Sequence, residues 1–167
     1  MPRRANYFVT GLPRSRTAWF AAYLTAQGGD CIHEGLTFFS HKADFDLLMS
    51  KRRGLSDPGL MFTDFQERFS GAGSRTVIIH REINEVRKSL KRLLVNWNDQ
   101  FLLDAQARMK GLNGLHVPFE QIDARLKDIT NYLGVEYDAE IAASFKNMVI
   151  TVKCSMGDPQ SLALWVN

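Results

Sequence analysis

Gly11, Pro13, Arg14, Ser15, Arg16 and Thr17 fall in one short window, inside the stretch YFVTGLPRSRTAW of residues 7–19. Two turn formers, two cations and two hydroxyls at that spacing suit a bound oxyanion such as phosphate or sulfate. Tyr7 to Val9 read as the end of a buried strand, Gly11 and Pro13 as a tight turn, and the apolar pattern from Trp19 to Leu24 as a helix that Arg14 to Thr17 open. A strand, a turn and a helix N-terminus in that order point unpaired amide N–H groups and the positive end of the helix dipole into the turn.

The elements that must position this window follow from the rest of the chain. Apolar strand-like runs at Tyr7–Thr10, Asp30–His33, Thr76–His80, Leu115–Pro118 and Val149–Val152 alternate with helix-like stretches. That alternation predicts a three-layer α/β/α fold with a mainly parallel four- to five-stranded sheet and ligands at the carboxyl ends of the strands. The segment 51–59, KRRGLSDPG, is rich in turn formers and reads as a flap, from which Ser56 and Asp57 contact cofactor or acceptor.

With 167 residues, 45% of them apolar and 23% charged, the chain is expected to form one globular domain over residues 1–167. No apolar run reaches the ~20 residues of a membrane span, and MPRR leads into a strand-like stretch rather than a signal sequence. A soluble, unprocessed cytoplasmic protein with no membrane partner is the expectation. Cys31 and Cys154 have no CxxC spacing, so neither a disulfide framework nor a zinc site is suggested. A net charge of +3 is too mild for dedicated nucleic-acid binding, yet its clustered cations suit a small polyanion.

The P-loop GxxxxGK(S/T) is the obvious comparison, and Arg16 and Thr17 stand where its Gly-Lys pair belongs. The window instead resembles the 5′-phosphosulfate loop of sulfotransferases that use 3′-phosphoadenosine 5′-phosphosulfate, close to Gly-x-Pro-(Arg or Lys)-Ser-Gly-Thr-(Thr or Ser). Arg16 replaces the family's glycine and Ala18 its second hydroxyl residue; an arginine at position 16 is expected to cost little if the chain is already helical there. A second resemblance lies in residues 75–92, RTVIIHREINEVRKSLKR. Arg81, just past a strand end, and Ser89, eight residues on along an amphipathic helix, match the family's 3′-phosphate site; Ile83 stands in place of its proline. A guanidinium fork and a hydroxyl suit a dianionic phosphate, at about 1.5–3 kcal/mol per charge-assisted bond. Arg87, Lys88, Lys91 and Arg92 read as a mostly solvated face, with Arg92 one turn from Ser89. A third resemblance covers residues 114–135, where Phe119-Glu120-Gln121-Ile122 and Tyr132-Leu133-Gly134 take the places of the family's Tyr-Glu-Asp-Leu and Phe-Leu-Gly, and Glu120 reads as orienting a helix start.

The resemblance implies a small bacterial or phage-type sulfotransferase whose cofactor leaves as 3′,5′-adenosine bisphosphate, with no metal expected. It implies that Gly11, Pro13, Arg14, Ser15, Arg16, Thr17, Arg81 and Ser89 bind the cofactor, with Arg14 also stabilising the charge that develops on transfer. An acceptor hydroxyl or amine must lose a proton, and His33 and Glu34 in CIHEGL, just past the second strand, are the candidates, Glu34 first. His41, His80 and His116 read as structural. The acceptor is unidentified, and a homodimer is compatible with the reading. A small nucleotide kinase or NTPase with a degenerate P-loop, or a non-catalytic nucleotide- or phosphate-binding module, would keep the same fold; KCSMGDPQ at residues 153–160 matches the family's purine loop too poorly to place the adenine.

Overall fold

A computed structural model of the chain describes residues 5–38, 42–69, 73–94 and 98–150. Five strands, β1 (Tyr7–Gly11), β2 (Cys31–His33), β3 (Gly54–Ser56), β4 (Arg75–His80) and β5 (Leu115–Pro118), form one sheet in the order β2-β3-β1-β4-β5. All four pairings are parallel. The helices are α1 (Thr17–Ala26), α2 (Lys42–Lys51), α3 (Phe65–Phe69), α4 (Ile83–Arg92), α5 (Asp99–Gly111), α6 (Leu126–Tyr132) and α7 (Ala139–Phe145).

The period of two along each strand sorts the core into two faces. Tyr7, Val9, Val77, Ile79 and Val117 pack with Trp19, Phe20 and Leu24 of α1, Ile129 of α6 and Ala142 of α7. On the opposite face Phe8 and Leu55 meet Phe45 and Met49 of α2 and Phe65 of α3, while Ile78 meets Val86 of α4 and Leu102 of α5. Helices on both faces of a parallel sheet make the three-layer α/β/α architecture expected from the sequence. β1 lies at the centre, with β3 on one side and β4 on the other, so the turn that follows it opens at the carboxyl edge where the strand order reverses.

Segment 51–59 is no flap. Its middle is β3, paired with both β1 and β2. Gly54 is there for packing rather than turning: a Cβ at this position would lie 2.2 Å from Tyr7 ring atoms. Ser56 and Asp57 are buried, not displayed on a mobile arm. Val149 and Ile150 belong to no strand, and Thr151 and Val152, like His41 and residues 153–160, lie outside the described residues. Among the described residues no helix is long and apolar enough to cross a membrane. Cys31 is a buried free thiol whose pKa burial pushes up to about 12, which leaves little thiolate.

Candidate functional site

Gly11 ends β1 beside β4, paired with Ile79. A Cβ on it would come within 2.8 Å of the Ile79 carbonyl oxygen and 3.2 Å of Ser15 Cβ, so only glycine lets the turn pass this close. The turn closes with the Ser15 amide donating to the Leu12 carbonyl at 3.1 Å. α1 then starts with no side-chain cap and no acidic residue in its first turn, so its leading amides and dipole are not satisfied by the helix's own side chains. Ser15 is fully buried, and its Oγ has no hydrogen-bond partner. An orphaned buried hydroxyl at an uncapped helix start is the polar deficit that an anion would fill.

The backbone of this turn is left-handed at two non-glycine residues, Arg14 with φ 66° and Arg16 with φ 61°. The expectation that position 16 is already helical is therefore overturned. Arg16 sits before α1 in the αL region, the conformation for which the family's glycine is suited and which costs an L-residue roughly 1–2 kcal/mol. Side-chain contacts offset that strain: Arg16 Nη1 donates to Asp123 Oδ1 at 2.7 Å, and its guanidinium lies 5.4 Å from the Trp19 ring centroid and 5.5 Å from that of Phe119. Arg16→Gly and Arg16→Ala lose the same contacts, but only glycine relieves the backbone. The glycine variant is expected to be the more stable by about 1 kcal/mol in denaturant melts, and equal stability would show that φ is not strained.

Arg14, Ser89 and Arg81, far apart in sequence, meet here. Arg14 Nε donates to Ser89 Oγ of α4 at 3.1 Å, and Arg81, just past β4, donates to the Arg14 carbonyl. Burial, then the nearby Arg14 charge, holds the Arg81 guanidinium below its usual pKa. A phosphate placed between such cations relieves their repulsion as well as bonding them. Pro13 is buried in the turn, and Thr17 begins α1, buried, with its carbonyl accepting from Ser56 Oγ at 2.7 Å.

The candidate base residues sit at the end of β2, beside the end of β3. His33 Nδ1 lies 3.0 Å from the Ser56 carbonyl, which only accepts, so this nitrogen carries hydrogen. His33 Nε2 faces Glu34 Oε1 at 3.3 Å. Glu34 is also left-handed, with φ 51°, and backbone strain of this kind gathers at functional sites. Beside them is Asp57, misassigned to a flap in the sequence reading. Its Oδ2 accepts from the Leu36 amide at 3.1 Å and its Oδ1 from the Gly59 amide at 2.7 Å, which ties the turn after Glu34 to the end of β3. Its own amide donates to the Val9 carbonyl and its carbonyl accepts from Thr10 Oγ1, so the same residue is stapled to β1.

Burial raises the Asp57 carboxyl to about 6, against the lowering pull of its two amide donors and of His33. A folded pKa above the unfolded one means that the favourable contribution is complete below about pH 4 and is lost as pH rises through 6. Relative to Asp57→Asn, the wild type is expected to lose about 2 kcal/mol of stability between pH 4 and 7. Parallel stability curves for the two proteins would refute the shift.

Glu120 is exposed and stands in the first turn of the 3₁₀ helix Phe119–Gln121, while α6 begins later, at Leu126, without a side-chain cap. Gly134, with φ 69°, does stop that helix. His80 and His116 bond one another, Nε2 to Nδ1 at 2.7 Å, with stacked rings.

No family model matches the chain, and no curated protein matches its sequence. Among solved structures the fold is similar to the crystal structure of mouse sulfotransferase SULT7A1 complexed with PAP, with a TM-score of 0.57 and 14% sequence identity. The match covers 86% of this chain and 63% of that chain, so this chain spans a little under two-thirds of the other's length. The chain has a sulfotransferase-like α/β fold.

Proposed function

We propose that this protein binds 3′-phosphoadenosine 5′-phosphosulfate and transfers the sulfuryl group to a hydroxyl or amine acceptor, as a single domain over residues 1–167 of the small bacterial or phage type acting in the cytoplasm. The observation that carries the reading is the junction of two anion-binding elements: Arg14 of the turn bonds Ser89, and Arg81 bonds the Arg14 carbonyl. A ligand bearing phosphates at two positions fits such a junction better than one bearing a single phosphate. The unpartnered Ser15 Oγ and the narrow passage at Gly11 fit an anion held against the turn. The PAP-bound sulfotransferase of similar fold supports the same ligand class.

The nucleotide would supply an activated sulfuryl group. Arg14, the leading amides of α1 and its dipole would stabilise negative charge growing on the sulfate oxygens and the departing phosphate. Glu34, oriented by His33, would take the acceptor's proton. The β2–β3 edge carrying these residues is tied to α1 by the Ser56 Oγ bond to the Thr17 carbonyl.

Transfer of radiolabelled sulfate from the nucleotide to a panel of phenols, sugars, amines and peptides tests the proposal. Activity with at least one acceptor is expected, and Glu34→Gln should lower it about 100-fold or more with bisphosphate binding intact. Bisphosphate binding without transfer to any acceptor would leave the non-catalytic binding module, and magnesium-dependent phosphoryl transfer from ATP would replace the reading with a kinase.

A further inference from the structure

Phe119 stands at the end of β5, where the chain enters the 3₁₀ turn Phe119–Gln121. The Arg81 guanidinium carbon lies over its ring, 4.3 Å from the centroid, and that of Arg16 lies 5.5 Å from the same centroid. These two arginines come from different elements, the turn after β1 and the end of β4, and each acts on the other as a like charge. Something must hold them together in the ligand-free protein.

An acidic side chain would do so at the cost of neutralising them and competing with an incoming anion. Arg16 has such a partner in Asp123, but Arg81 makes no ion pair among the described residues; Glu85 and Glu120 act on it from further away. Its contacts are the Phe119 ring and the Arg14 carbonyl. An aromatic face attracts a guanidinium through its quadrupole without cancelling its charge, and leaves the N–H edge of the fork free for a bidentate acceptor. We propose that Phe119 is a positioning residue: its ring sets the Arg81 fork, and through it the spacing of Arg81 and Arg16, for the 3′-phosphate of the nucleotide. This rests on the nucleotide reading above and deepens it by naming the residue that makes the site selective for a second phosphate.

The test is calorimetric titration, without magnesium, of wild type, Phe119→Leu and Phe119→Tyr with 3′,5′-adenosine bisphosphate and with 5′-AMP. Wild type should prefer the bisphosphate, Phe119→Leu should lose about tenfold of that preference, and Phe119→Tyr should keep it. A side chain that merely fills space would weaken both ligands alike and leave the ratio unchanged, and that outcome overturns the proposal. Should Phe119→Leu fail to fold, the Arg81 Nε–H proton in the free wild-type protein decides: the ring above it should shift its resonance upfield, and an unshifted resonance overturns the assignment. No preference in wild type brings down the nucleotide reading together with this one, whereas a preference that Phe119→Leu retains brings down only the role of Phe119.

Discussion

Arg14→Ala is expected to reduce sulfuryl transfer by about 100- to 1000-fold while leaving the protein folded, the loss typical of one preorganised donor of about 2.7–4 kcal/mol at a developing oxyanion. Arg14 is half-buried, its side chain bonds Ser89, and it lies outside the hydrophobic clusters of the described residues, so truncation removes charge and a donor without opening the core. Its backbone, with φ 66°, is as unfavourable for alanine as for arginine, so the turn itself is not relaxed by the change. Steady-state turnover with the labelled nucleotide measures the effect, with far-ultraviolet circular dichroism as the control for folding. Unchanged turnover would put the reacting anion somewhere other than this turn.

Arg81→Ala is expected to weaken 3′,5′-adenosine bisphosphate by about 10- to 100-fold, one charge-assisted bond of about 1.5–3 kcal/mol, and to weaken 5′-AMP far less. The two ligands differ by the phosphate that Arg81 is assigned to hold. Because Arg81 also bonds the Arg14 carbonyl, it steadies the turn, and a smaller loss for 5′-AMP is part of the expectation. Contact of this kind makes the two arginines non-additive: the double variant should lose less than the two single losses combined. Equal losses for both ligands would make Arg81 a scaffold for the turn and not a phosphate ligand.

Four of the five strands were legible because each carries two or more apolar residues. The exception is instructive. β3 has only Leu55 as an apolar residue, between a glycine required by the Tyr7 ring and a serine whose hydroxyl holds the start of α1. Residues that read as turn formers are there because β3 is covered on both edges and both faces, an effect of tertiary neighbours that local propensity does not carry. Arginine at position 16 misled for a related reason. It is a good helix former, so the chain reads as helical, but the contacts to Asp123, Trp19 and Phe119 that hold it in the left-handed region come from its own helix and from more than a hundred residues downstream. The motifs of the turn and of Arg81/Ser89 were visible one at a time. Their meeting was not, because it depends on β1 and β4 being neighbours, a fact of sheet order. Asp57 was invisible as a buried carboxylate for want of any apolar pattern around it.

Nucleotide-dependent melting tests whether the turn after β1 and the Arg81/Ser89 pair form one site for a nucleotide with a 3′-phosphate. Wild-type protein is to be melted without magnesium in matched concentrations of 3′,5′-adenosine bisphosphate, 5′-AMP and ATP, and again in ATP with magnesium. A ligand present at 100 times its Kd stabilises by about 2.7 kcal/mol, a shift of several degrees for a chain of this size. The bisphosphate alone is expected to raise the melting temperature by that amount, with 5′-AMP well behind and magnesium without effect. Equal shifts with 5′-AMP and the bisphosphate, or a shift that appears only with ATP and magnesium, would contradict the account.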